Sequence, residues 1–96
     1  LKIYSAEVES VLSGHPDVVE SAIIAKPCPV LGERVHAFVT LRGSLTITSE
    51  TLRVFCLERL ADYKAPESFT FRGESLPRNA NGKVLKRALR EELSAH

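Results

Sequence analysis

Two consecutive β-rich runs limit the fold of this 96-residue chain more than any other feature. Val18-Val19-Glu20-Ser21-Ala22-Ile23-Ile24-Ala25 is rich in β-branched residues and reads as a largely buried strand. Pro27 and Pro29 are expected to end it, and Val30-Leu31-Gly32-Glu33 to turn the chain into Arg34-Val35-His36-Ala37-Phe38-Val39-Thr40-Leu41. In that second run Val35, Ala37, Val39 and Leu41 share one face, with His36, Phe38 and Thr40 on the other. No nucleophile or acid partner lies near His36 in sequence, so a cross-strand structural role is expected for it.

Helical patterns surround the pair. Ser5 is the expected N-cap of a first helix, with Glu7 and Glu9 near its positive end and Val8, Val11 and Leu12 as the buried stripe. Gly14, His15 and Pro16 stop it, and His15 reads as a polar group beside a helix end. Arg42-Gly43-Ser44 closes the hairpin. Thr48 then caps a second helix to about Leu60, with Leu52, Phe55, Cys56 and Leu60 inward. After a turn at Tyr63-Lys64-Ala65-Pro66, Ser68-Phe69-Thr70-Phe71-Arg72 alternates as a third strand with both phenylalanines inward. The expected architecture is α+β: a small mixed or antiparallel sheet of about three strands packed with about three helices.

Size and charge narrow the function. A chain this short buries roughly 60–65% of its unfolded surface, enough for a modest core but not for a deep ligand cleft of its own. With 13 basic and 12 acidic residues the formal charge is +1, so nothing pulls the whole chain toward nucleic acid or an anionic membrane. Cys28 and Cys56 lack metal-ligand spacing and suit thiols in a reducing compartment. No apolar run is long enough for a membrane span or resembles a signal peptide, so a cytoplasmic domain is expected. The absence of an initiator Met at Leu1 reads as a fragment of a longer protein.

The stretch from Leu76 to Leu89 combines a turn, a helix start and a cationic cluster. Asn79, Asn81 and Gly82 tolerate positive φ, so Pro77 to Gly82 is expected to be a tight loop. Leu85, Ala88, Leu89 and Leu93 recur at helical spacing, which puts Lys83 in the first turn of the last helix. A cation there is mildly unfavourable unless an anion sits between it and the helix end. On spacing alone, Lys83, Lys86, Arg87 and Arg90 are better read as a solvated face than as a site. The stretch is not a P-loop, since Pro77 and Val84 stand where that pattern needs Gly and Ser or Thr.

Five segments in order nevertheless resemble one family: Ile3 to Glu9, His15-Pro16-x-Val18, Gly32-Glu33 before Ala37-Phe38-Val39, Tyr63-Lys64-x-Pro66, and Leu76-Pro77-Arg78-Asn79-x-x-Gly82-Lys83. Together they resemble the small C-terminal domain of the adenylate-forming superfamily of acyl-CoA synthetases, adenylation domains and luciferases, over residues 1–96. Lys64, where peptide-synthetase modules more often have Met, favours an acyl-CoA ligase over an adenylation module. The resemblance implies a mobile lid that brings Lys83 into a cleft of a large N-terminal domain for attack of a carboxylic acid on ATP. It then implies rotation for thioester formation with CoA. Asn81, Gly82 and Lys83 would form the loop facing ATP phosphate and carboxylate, with Lys83 catalytic. It implies Mg2+ with ATP, no metal ligand in this chain, and no activity of the domain alone. Lys83 also resembles a site used by lysine acetyltransferases. From another class, a stand-alone anion or nucleic-acid binding module would use the same cations, but charge balance and the lack of an aromatic platform count against it.

Overall fold

The computed structural model describes residues 3–30, 32–43 and 46–94. Helix α1 (Ser5–Ser13) leads into strand β1 (Val18–Cys28) and strand β2 (Gly32–Leu41). Helix α2 (Ser49–Leu57), a 3-10 turn (Asp62–Lys64), strand β3 (Ser68–Arg72) and helix α3 (Lys86–Ser94) follow. The sheet order is β1-β2-β3, with β1 antiparallel and β3 parallel to the central β2. The expected α+β fold is thus the observed one, with a mixed sheet.

Alternation along β2 divides the core in two. Val35, Ala37 and Val39 pack with Val8 and Leu12 of α1 and Leu52 and Cys56 of α2. On the opposite face Phe38 packs with Ala22, Ile24, Leu76 and Leu89, joined by Val84 and Leu93. The sheet therefore lies between α1 and α2 on one side and α3 with its preceding loop on the other. This second cluster is the platform on which residues 76–85 rest.

Several boundaries differ from those expected. The α1 N-cap is Tyr4, not Ser5, and no side chain caps it. Thr48 does cap α2, its side chain accepting the Thr51 amide, but the helix ends at Leu57 and Leu60 is reached through a turn. Strand β1 runs through Pro27, which lies opposite Glu33 in the ladder. The Ile23 amide donates sideways to Glu9 Oε2 at 2.8 Å, away from β2. Residues two apart share that orientation, so position 27 needs no amide for the ladder. Gly32 and Glu33 belong to β2, while Leu31 and Ser44 lie outside the described residues. The open end of the hairpin is tied by the Arg42 amide to the Asp17 carbonyl at 2.8 Å. Phe69 packs against the α1/α2 core, but Phe71, expected inward, is 37% exposed and stacks on Phe69 at 6.2 Å.

His36 has the cross-strand role expected of it. Its Nδ1 and Nε2 lie 2.6 and 2.8 Å from the hydroxyls of Ser68 and Thr70 on β3. Burial, helped by the charge of Lys26, lowers its pKa from 6.5 to about 4. The fold thus favours neutral imidazole: its stabilisation is complete above pH 6.5 and is lost as pH falls toward 4. Over that window the chain should lose on the order of 2–3 kcal/mol through this group. Urea midpoints measured from pH 7 to 4 for the parent and His36→Gln test it, and parallel curves would show that His36 is not the group responsible.

Candidate functional site

The loop before α3 is built by side chain as much as by backbone. Asn79 Oδ1 accepts the amides of Asn81 and Lys83 at 2.9 and 3.0 Å. The Asn79 amide donates to the Lys83 carbonyl at 2.9 Å, and the Gly82 amide to the Asn79 carbonyl at 2.9 Å. Arg78 and Val84 form an antiparallel bridge, so residues 78–84 make a miniature hairpin. Gly82 turns it with φ +83°, in open space, so conformation and not crowding calls for glycine. Among the described residues no non-glycine has positive φ, so neither asparagine uses a left-handed backbone: Asn79 serves through its side-chain oxygen, and Asn81 contributes its backbone amide.

Lys83 does not lie in the first turn of a helix. Helix α3 starts at Lys86, and its opening amides, Ala88 and Leu89, donate to the Leu85 carbonyl. The Lys83 backbone is instead fixed to Asn79 at both its N–H and its C=O. Its side chain is exposed and has no hydrogen bond or ion pair among the described residues. Val84 packs inward, so Lys83 stands out from the platform.

Carboxylates from the far end of the chain hold this loop. Glu9 Oε2 accepts Lys86 Nζ at 2.8 Å as well as the Ile23 amide. Glu20 accepts the Leu76 amide at 3.1 Å and pairs with Arg78, whose other nitrogen donates to the Gly82 carbonyl at 2.8 Å. The Asn-x-Asn-Gly pattern signals Asn79 as a turn residue but not its side-chain contacts, and nothing local in the sequence signals the Glu20–Arg78 brace. Lys83, Arg87 and Arg90 line an open groove together with Asn79 and the Glu9–Lys86 pair. With one of its four cations neutralised, the groove presents net positive charge on a fixed frame. Elsewhere, burial pushes the Cys56 thiol up to about 11, which makes it a packing group and not a nucleophile.

Asn81, Gly82 and Lys83 are thus brought together at the tip and closing strand of one braced turn. The model of the AMP-binding enzyme C-terminal domain matches residues 7–83, a span that includes all three. The chain belongs to that family. This AMP-binding enzyme C-terminal domain is 44% identical over 94% of its length to a dioxo-octahydroindenyl-propanoyl:CoA ligase of Rhodococcus jostii. It is 45% identical over 93% of its length to a 2-succinylbenzoate–CoA ligase of Bacillus velezensis. It covers 17% and 18% of those proteins. Among solved structures, a fatty acyl CoA synthetase of Mycobacterium tuberculosis superposes with TM-score 0.88 at 41% identity, over 97% of this chain and 18% of that one. The domain therefore spans less than a fifth of the relatives it matches. Among its described residues no helix is long and apolar enough to cross a membrane.

Proposed function

We propose that this domain is the mobile lid of an AMP-forming acyl-CoA ligase, with Lys83 as its adenylation lysine. The observation that carries the reading is the loop itself: an ammonium with no partner among the described residues, on a backbone fixed at its N–H and its C=O by Asn79. In the first reaction a carboxylate oxygen attacks the α-phosphorus of ATP, the bond to the bridging oxygen breaks, and pyrophosphate leaves. Negative charge grows on the nonbridging and leaving oxygens, and a preorganised cation in a cleft that excludes water stabilises it. Lys83 transfers no proton. In the second reaction the CoA thiol attacks the acyl carbon and AMP departs, with the domain rotated so that Lys83 is withdrawn.

ATP with its Mg2+, the acid and CoA would be held mainly by a large N-terminal domain, and this chain would add Lys83 with the Asn81-Gly82 turn. Acetylation of Lys83 would remove the charge on which adenylation depends. Assaying the intact protein with ATP, Mg2+, CoA and a panel of carboxylic acids tests the reading. AMP and acyl-CoA should appear together. Formation of ADP instead would overturn the proposal, and AMP release with acyl transfer only to a carrier protein would assign the domain to an adenylation module.

A further inference from the structure

The bonds inside the 78–84 hairpin fix its shape but not its attitude to the sheet. That attitude is set by Leu76 in the core, by Glu9 on Lys86, and by the Glu20–Arg78 pair. Lys83 is flanked by two anchored neighbours: Val84 packs on the core from one side, and on the other Arg78 makes the polar tie, to Gly82. One end of its guanidinium is held by Glu20 on β1, and the other donates to the Gly82 carbonyl at 2.8 Å. The second oxygen of Glu20 takes the Leu76 amide, so one carboxylate fixes both the entry to the loop and the brace across it. The Glu20 side chain is only 15% exposed, so its carboxylate is held more firmly than a surface charge.

We propose that Arg78, held by Glu20, is a positioning residue for adenylation: it sets where the Lys83 ammonium is presented. The inference rests on the reading of Lys83 given above. A planar guanidinium can join a carboxylate and a carbonyl at once, whereas a lysine at position 78 offers a single point of attachment. The charge of residue 78 is therefore less important than its fork.

The test uses the intact ligase with Arg78→Met and Arg78→Lys, each with Lys83 present and in a Lys83→Ala background. Pyrophosphate exchange reads adenylation, and CoA thioester formation from supplied acyl-AMP reads the second step. Both Arg78 variants should lower kcat for exchange by about tenfold to a hundredfold, the cost of a cation displaced by about an ångström. KM for ATP and the thioester step should change less than about twofold. In the Lys83→Ala background neither variant should lower exchange further, because Arg78 acts through Lys83. A further fall of the same size in that background would overturn the proposal, as would full activity of Arg78→Lys. Parallel loss of both half-reactions with a lowered melting temperature would make the brace purely structural. If Lys83→Ala leaves exchange unchanged, the reading of Lys83 fails and this inference with it; if Lys83→Ala abolishes exchange while Arg78→Met does not, only the positioning role fails.

Discussion

Lys83→Ala in the intact ligase is expected to lower acid-dependent pyrophosphate exchange by two to three decades and to leave thioester formation from supplied acyl-AMP within a few-fold of the parent. Removing one preorganised contact to developing oxyanion charge commonly costs roughly 3–4 kcal/mol, which is that change in rate. The structure makes the substitution interpretable, because the Lys83 contacts that shape the loop are its N–H and C=O, and alanine keeps both. The side chain is exposed, so stability should move by less than about 0.5 kcal/mol. Equal loss in both half-reactions would point to a misfolded loop, and unchanged exchange would return the cationic cluster to a solvated surface.

The other large effect is on stability. Phe38 is 1% exposed and central to the cluster that carries Leu76 and Leu89, with the His36 ring edge-on at 5.1 Å. Phe38→Ala should cost about 3–5 kcal/mol through lost transfer energy and the cavity left behind. That is a large share of the roughly 5–15 kcal/mol that stabilises an ordinary domain. The urea midpoint should fall sharply, whereas Phe71→Ala, at a residue 37% exposed, should shift it much less. Equal shifts for the two would mean that the α3 side of the sheet is not a packed core.

The sequence reveals most where one periodicity dominates. Alternation from Val35 to Leu41 sorts those residues correctly between the two faces, and Thr48 is readable as a cap because its hydroxyl reaches an amide three residues on. It fails where the bonds of a turn compete with those of a helix. Leu85, Ala88 and Leu89 have helical spacing, but the Asn79 amide occupies the Lys83 carbonyl, which a helix from that residue would need for the amide four residues on, and α3 begins only at Lys86. Pro27 departs from expectation for another reason: whether a strand tolerates proline depends on which way its amide would point, and that follows from lying at a sheet edge. Within the loop, Asn81, Gly82 and Lys83 are legible from turn chemistry and family resemblance together. Glu20 and Arg78, 58 residues apart, leave no local trace of their pairing.

The sideways amide of Ile23 has a consequence for solubility. An exposed strand edge is a template on which other chains can add, and β1 is the longest strand in the sheet, with 11 residues. Here Glu9 occupies the outward donor at Ile23, and Pro27 has none to offer two steps further along that register. The same carboxylate that helps to seat α3 thus blunts the edge against intermolecular pairing, and replacing it would expose a β-sheet seam as well as loosen a helix.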